Sequence, residues 1–249
     1  MIKNKKKHLK DFYYLYGKHA ALAVLSNHNR QIENVYCTQE IFNINKKSLE
    51  NYSYEIVTTE FLTKLLGPNS VHQGIALYTK TIFTNDIEDV DITNSSCRVA
   101  ILDQITDPQN IGAIIRSAAS FNINAIIMPA DNAPDENATI AKAASGSLEL
   151  IQIIKVTNLK NAMAYLKKNG FWIIGLDGEA TEYLNSKLLE NKVAIVLGAE
   201  DKGMRRLVKE TCDYIVKIPM SNKVESLNVS NAAAIAFYLS SVNNVLLKP

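Results

Sequence analysis

The sequence predicts an α/β protein whose second part contains a covered, mostly parallel sheet. Six near-continuous apolar runs follow Arg98 and alternate with segments of helical composition, and strands that are apolar on both faces belong to sheets covered on both sides. A polar, acidic stretch at 85–96 separates this region from a smaller α/β unit before it. We therefore expect two domains joined by a linker.

The smaller unit combines apolar helices with short alternating strands. Predicted here are a helix at 17–25, strands at 32–37 and 54–58, a capped helix at 59–66, a turn at 67–70 and a last short strand at 74–78. These elements define a small domain at 15–80, after a basic tail at 1–14 and before a linker at 81–96.

The larger domain, expected at 97–249, alternates strands with helices. Strands are predicted at 99–102, 125–128, 151–154, 171–176, 193–197 and 214–218, and helices at 111–121, 158–169, 204–211 and 228–242. The alternation is typical of a parallel sheet with helical crossovers.

The composition is that of a globular protein with a full core, since 47% of the 249 residues are apolar. The net charge of +2 permits a nucleic-acid partner without requiring one. Cys37, Cys97 and Cys212 form no CxxC pair, and His19 and His72 are not at ligand spacing, so we expect no disulfide framework and no metal. No apolar run suits a signal peptide or a membrane span, which predicts a cytoplasmic protein.

The common phosphate-binding motifs are missing. A P-loop requires Lys and then Ser or Thr after its second glycine, whereas Met204 and Arg205 follow Gly203. The first strand of the larger domain is followed by the sequence DQIT at 103–106 and not by a glycine-rich dinucleotide fingerprint. An ordinary Rossmann cofactor site is therefore disfavoured.

Three distant segments place small or amide-bearing residues where an apolar strand ends. They have the sequences DPQNIGAIIR at 107–116, LGAEDKG at 197–203, and IPM at 218–220 followed by ESLNVS at 225–230. Open α/β sheets bind ligands at the carboxyl ends of their strands, so we expect these segments to converge on one site.

In order and spacing, these segments resemble the three motifs of the SpoU (TrmH-type) RNA 2′-O-ribose methyltransferases. The resemblance extends from about Tyr16 to the C-terminus, because YGKHA at 16–20, HQGI at 72–75 and GLDGEA at 175–180 also match the family pattern. Because of these additional matches, the chain most resembles the branch of the family that methylates a guanosine ribose in bacterial 23S ribosomal RNA.

The resemblance implies a trefoil-knotted, SPOUT-like C-terminal methyltransferase domain, an N-terminal domain of the L30-like RNA-binding type, and a homodimer. S-adenosylmethionine would be the methyl donor. Site residues follow by position: the catalytic set would be Asn110, Arg116, Glu200, Ser226 and Asn228, and the cofactor would bind at Leu176, Leu197, Gly198, Ile218, Met220 and Leu227.

Each catalytic candidate also has an ordinary structural interpretation. Arg116 alone would be a solvated helix arginine and Glu200 a surface carboxylate, while Asn110, Ser226 or Asn228 would be helix N-caps. A guanidinium hardly loses its proton in proteins. We therefore interpret Arg116 as gripping a substrate phosphate by forked hydrogen bonds and stabilising charge on the acceptor oxygen, while a phosphate oxygen or water takes the proton.

Two stretches depart from the family pattern. Asp201 stands where the family usually has glycine. If that position requires positive φ, aspartate is among the few residues that tolerate it, and cofactor affinity is the property at risk. The segment ASGSLE at 144–149 is less alanine-rich than in the family, which we interpret as a variation in packing.

The expected function is methyl transfer from S-adenosylmethionine to the ribose 2′-oxygen of a guanosine in 23S ribosomal RNA, without a DNA or membrane partner. Three alternatives stay open: the same reaction on transfer RNA, a non-catalytic RNA-binding factor that has lost activity through Asp201, and an unrelated nucleotide-binding α/β protein. Five lysines precede residue 11; they form either a solvated tail or contacts along RNA phosphates.

Overall fold

The computed structural model describes residues 12–84, 86–190, 192–221 and 223–245. The chain forms two units, of which the first comprises Met1–Ile82 with Asp135–Leu150 and the second comprises Phe83–Pro134 with Ile151–Pro249. Residues 1–11, most of the predicted basic tail, lie outside the described residues. The division departs from the predicted boundaries at 135–150, a segment that the sequence analysis assigned to the larger domain.

The elements alternate along the chain much as the hydrophobic pattern predicts. The strands are β1 Phe12–Tyr16, β2 Ile32–Cys37, β3 Tyr54–Ile56, β4 Ile75–Lys80, β5 Arg98–Asp103, β6 Ala125–Pro129, β7 Gln152–Val156, β8 Trp172–Leu176, β9 Glu182–Tyr183, β10 Val193–Gly198 and β11 Tyr214–Lys217. The helices are α1 Lys18–Ser26, α2 Gln39–Leu49, α3 Thr59–Leu66, α4 Pro108–Ser120, α5 Ala138–Ala144, α6 Leu159–Lys168, α7 Arg206–Thr211 and α8 Val229–Val245. Short 3₁₀ helices occupy Ile87–Asp89, Ser147–Leu150 and Ser186–Leu189.

The first unit is built on a four-stranded sheet of order β1-β4-β2-β3. Strand β4 is antiparallel to β1 and to β2, whereas β3 is parallel to β2. The predicted strands and helices of this unit are confirmed, but three elements were missed, namely β1, α2 and α5. Most of β1 was predicted to belong to the basic tail. It is a strand because it pairs in register with β4, and the local charge pattern does not show such a pairing. Helix α2, which begins after the Thr38 cap, was not predicted.

The second unit contains a seven-stranded sheet of order β7-β6-β5-β10-β8-β11-β9, and all of its pairings are parallel. All six predicted strands and all four predicted helices are confirmed. The central strands β5 and β10 are buried along nearly their whole length, as expected of a sheet covered on both faces. Within the predicted linker, Val90 is buried in this unit's core.

A buried ion cluster joins the inserted segment 135–150 to the first unit. The guanidinium of Arg30 pairs with Glu136 and lies 3.5 Å from a carboxylate oxygen of Glu149, and the Arg30 and Glu136 side chains are fully buried. Glu136 also accepts hydrogen bonds from the Tyr13 hydroxyl at 2.6 Å and from the Ile82 backbone N–H at 2.7 Å. Because an unpaired buried charge is unfavourable, these contacts favour this one position for the segment.

We expect Arg30→Met to lower the free energy of unfolding by about 3–5 kcal/mol, since it leaves Glu136 and Glu149 buried without their cation. The matched control is Lys46→Met, which removes an exposed pair with Glu50 and should change stability by less than about 0.5 kcal/mol. Urea unfolding followed by circular dichroism measures both. Equal stabilities of the two variants would contradict this role for Arg30.

Burial raises the pKa of Glu149, although Arg30 and a hydrogen bond from Asn27 act in the opposite direction. A carboxyl whose pKa is higher in the folded state contributes stability that is complete below the unfolded pKa and is lost as pH rises through the folded value. Glu149→Gln should therefore gain stability relative to wild type as pH rises from about 4 to about 7. A pH-independent difference in urea midpoint would refute this expectation.

Candidate active site

The carboxyl ends of β8, β10 and β11 open into one cavity. Its volume is about 460 Å³, within the range of about 300–1,000 Å³ that is usual for small-molecule sites. All six residues predicted to hold a cofactor line it, namely Leu176, Leu197, Gly198, Ile218, Met220 and Leu227. Their convergence follows from the parallel sheet, which brings the ends of distant strands to the same edge.

The loop after β10 folds back so tightly that only glycine fits at its first position. Ala199 and Gly203 exchange backbone hydrogen bonds of 3.2 and 2.8 Å. A Cβ on Gly198 would lie 2.3 Å from the carbonyl carbon of Gly203 and 2.4 Å from the nitrogen of Met204. Since both neighbours are backbone atoms, they cannot move aside as a flexible side chain would.

A buried carboxylate holds the far end of this loop. Asp103 ends β5 with its side chain fully buried, and it accepts hydrogen bonds of 2.7 Å from the Arg205 backbone N–H and from the Arg205 Nε. Next to it, the Gln104 amide donates to the Gly203 carbonyl at 3.1 Å. The contact between Asp103 and Arg205 was not predicted, although a carboxylate that ends an apolar strand is a signal for it.

Asp201 does not require a left-handed backbone. The described non-glycine residues with positive φ are Gln73, Gln104, Asn122, Asn132 and Ser145, so aspartate in place of the family glycine introduces no such strain. What it adds is a carboxylate in the cavity wall.

A polar cluster formed by Asn110, Glu200 and Asn228 joins the three predicted segments beside the cavity. The Asn228 amide donates to Glu200 Oε1 at 2.7 Å and to Asn110 Oδ1 at 3.0 Å, and the Val229 backbone N–H donates to the same Glu200 oxygen at 3.0 Å. A longer contact of 3.5 Å joins the Asn110 amide to Glu200. Ser226 lines the cavity with Glu200. Four of the five predicted catalytic residues thus lie together.

Of the two asparagines in the polar cluster, only Asn228 also serves as a helix N-cap. The N-cap of α4 is Asp107, whose side chain accepts from the backbone of Gln109 and Asn110, so Asn110 is not a cap. Asn228 accepts from the Ser230 backbone N–H at 3.0 Å and therefore caps α8 while it also belongs to the polar cluster.

Arg116 is not part of that cluster. Its side chain is exposed on α4. Arg116 follows Asn110 by six residues, and six residues of α-helix turn a side chain by about 240° about the helix axis, so the two side chains point in different directions. Among the described residues, its guanidinium has no hydrogen-bond or ion-pair partner.

The cavity also contains charged residues that the sequence analysis did not select. Asp177 and Glu179 follow β8 directly, and Lys209 approaches from α7. The Lys209 ammonium lies 2.5 Å from Asp177. Burial raises the pKa of Asp177, but the hydrogen bonds from Lys209 and from the Glu179 backbone outweigh it, so that the net pKa is lowered. The rule that ligands bind at strand ends, applied to β8, would have found the two acids.

The described ranges contain no group of three or more His, Cys, Asp or Glu side chains placed to bind a metal ion. Within the same ranges, no helix combines the length and apolarity needed to cross a membrane.

The profile of the SpoU rRNA Methylase family matches residues 98–238, more than half of the chain. The chain belongs to the SpoU rRNA methylase family. A second profile, described as RNA 2′-O ribose methyltransferase substrate binding, matches residues 14–84.

Relatives of this SpoU chain align with it over most of their length. The 23S rRNA (guanosine-2′-O-)-methyltransferase RlmB of Vibrio vulnificus is 37% identical over 235 residues, which cover 90% of this chain and 94% of the relative. The enzyme of the same name from Escherichia coli K12 is 34% identical over 233 residues, with 90% and 96% covered.

Solved structures share the fold of this SpoU chain. The SpoU methyltransferase AviRb of Streptomyces viridochromogenes, in complex with AdoMet, superposes with a TM-score of 0.81 at 18% identity and covers 98% of this chain and 95% of its own. An AdoMet-bound rRNA methyltransferase of Sinorhizobium meliloti gives 0.80 at 18% identity, with 98% and 92% covered.

We expect Gly198→Ala to lower the free energy of unfolding by about 1–3 kcal/mol, because its methyl group forces the loop 199–203 to move. Gly178→Ala is the matched control, since Gly178 lines the same cavity but a Cβ there meets no atom within 4 Å. Urea unfolding compares the two. A Gly198→Ala protein as stable as Gly178→Ala would contradict the close approach.

Proposed function

We propose that this protein transfers a methyl group from S-adenosylmethionine to the ribose 2′-oxygen of a guanosine in 23S ribosomal RNA. The observation that carries the proposal is the polar cluster of Asn110, Glu200 and Asn228 beside a cavity at the strand ends. Membership of the SpoU family and the names of relatives that are 34–37% identical over 90% of the chain support the same reaction.

The residues of the cavity suit S-adenosylmethionine. Leu176, Leu197 and Ile218 offer apolar walls and the backbone groups at strand ends, which recognise an adenine and a ribose. Leu227, in the loop before α8, adds a further apolar wall. A Cβ on Gly198 would collide with the backbone of Gly203 and Met204, so glycine allows the loop 199–203 to take the position in which it lines the cavity. When bound, S-adenosylmethionine supplies an electrophilic methyl group.

The polar cluster orients the acceptor. Glu200 Oε1 already accepts from Asn228 and Val229, so this oxygen fixes Asn228 and does not take the substrate proton. With its amide held, Asn228 keeps Asn110 and the cavity wall at Ser226 in one arrangement. Holding a hydroxyl in line for attack removes much of the entropic barrier.

Arg116 grips the phosphate next to the acceptor ribose. Its guanidinium presents paired donors that match a phosphate, and its charge stabilises the acceptor oxygen as negative charge develops there. Because a guanidinium does not act as a base, a phosphate oxygen or a water molecule accepts the proton. The exposure of Arg116 on α4 suits a contact with RNA.

The protein acts in the cytoplasm as a homodimer with a trefoil knot in the methyltransferase domain, and the domain at 15–80 binds the RNA. Support for the dimer comes from α8, where Ile235 and Tyr238 are 41% and 57% exposed while Ala233 and Phe237 are fully buried. Exposed apolar side chains on a packed helix are typical of an interface.

The decisive experiment incubates the protein with labelled S-adenosylmethionine and either ribosomal or transfer RNA, and then maps the 2′-O-methyl groups. Methylation of a guanosine in 23S ribosomal RNA is expected. Methylation of transfer RNA alone would select the alternative substrate. RNA binding without methyl transfer would indicate a non-catalytic factor, and indifference to both ligands would overturn the proposal.

We expect Arg116→Lys to slow methyl transfer about ten- to a hundredfold, because lysine keeps the charge but removes the forked pair of donors. Arg206→Lys is the control, since Arg206 is also an exposed helical arginine and pairs only with Glu210 among the described residues. Single-turnover rates at saturating RNA measure both variants. Wild-type turnover in Arg116→Lys would rule out the forked grip.

A further inference from the structure

Five aromatic rings form a continuous surface on the first unit, here named the aromatic face: Phe12, Tyr14, Tyr36, Phe61 and Tyr78. Ring centroids lie 5.5 Å apart for Phe12 and Tyr78, 4.9 Å for Tyr14 and Tyr78, 6.3 Å for Tyr14 and Tyr36, and 6.0 Å for Tyr36 and Phe61. The rings come from β1, β4, β2 and α3, so the surface crosses three neighbouring strands.

The aromatic face is not the core of the first unit. Leu15, Val35 and Leu77 alternate with the tyrosines along the same strands and are fully buried, which places the core on the other side of the sheet. The four rings on the strands are half-buried, whereas Phe61 is 42% exposed.

The strand register brings the rings of the face together. Across the strands, Tyr14 lies opposite Tyr78, and Ala76 lies opposite both Tyr16 and Tyr36. Ala76 is fully buried, so the solvent-facing part of this surface is made by the larger aromatic side chains around it. Three of the five rings are tyrosines, which present a flat apolar body together with a polar hydroxyl.

The charge along the aromatic face changes from one end to the other. Lys80 is exposed and pairs in register with Phe12, whereas exposed Glu55 pairs in register with Tyr36. The Phe12 end therefore combines aromatic rings with a cation. Aromatic rings beside a lysine are the combination that binds single-stranded nucleic acid, where bases stack and cations meet phosphates.

We propose that the aromatic face binds unpaired bases of the RNA substrate by stacking. This inference rests on the proposed function and names the surface and the chemistry through which the first unit selects RNA. Stacking requires bases that are free of a helix, so the recognised element is a loop or another single-stranded segment and not a duplex.

The test measures binding of the full-length protein to a fluorescent single-stranded RNA of about 12 nucleotides, a length within the range that such surfaces cover, and to the same sequence as a duplex. No S-adenosylmethionine is added. The double variant Tyr14→Leu/Tyr78→Leu keeps apolar volume but removes two ring faces, whereas Tyr14→Phe/Tyr78→Phe keeps both rings.

We expect wild type to prefer the single strand and the leucine pair to bind it at least about tenfold more weakly, while the phenylalanine pair stays within about twofold of wild type. Phe61→Leu, at an exposed helix position, should also weaken binding and does not disturb the sheet. Equal binding by the leucine and phenylalanine pairs, or by single strand and duplex, would overturn the proposal. A leucine pair that instead loses self-association in sedimentation would assign the face to a second copy of the chain.

Methyl transfer plays no part in these measurements. A failure of stacking therefore leaves the methyltransferase proposal intact. An inactive protein that still binds RNA through its rings would refute the proposed function alone.

Discussion

The hydrogen bonds that Glu200 Oε1 accepts from Asn228 and Val229 are the contacts on which the arrangement of the site depends. They tie the loop after β10 to the first turn of α8, and Asn228 extends the connection to Asn110 at the start of α4. Residues more than 100 positions apart in the chain are thereby held in one orientation. If Glu200 turned away, Asn228 would keep its cap on α8 but would lose the contact that aligns it with the cavity.

The cavity itself is made from backbone, and this explains which residues form it. Parallel strands end at one edge of the sheet, so apolar residues such as Leu197 and Ile218 line the cavity. The tight turn at Gly198 and the hydrogen bond from the Arg205 backbone to Asp103 fix the loop that forms one of its walls. Charged side chains, among them Asp177 with Lys209, line the same cavity. The cavity therefore combines apolar walls with polar and charged groups, as small-molecule sites usually do.

The first unit depends on a different kind of contact. Its core is apolar, yet the segment 135–150 is joined to it by the buried charges of Arg30, Glu136 and Glu149. Such a cluster is specific because each charge requires its partner, whereas an apolar contact tolerates displacement. On the other face of the same sheet, aromatic rings stay partly open to solvent. One four-stranded sheet therefore combines a fixed interior with a surface suited to stacking.

The sequence by itself determined the α/β class, six of the seven strands of the larger sheet with the helices between them, and the six apolar or glycine positions expected to line the cavity. Strand periodicity is local, and the end of a parallel strand is a site wherever the strand lies in the sheet. Only the tertiary structure decided that β1 is a strand, that 135–150 joins the first unit, and that Asp201 avoids a left-handed backbone. Each of these depends on strand register, on burial or on the partner of a charge, and such contacts join residues that the local pattern cannot relate to one another.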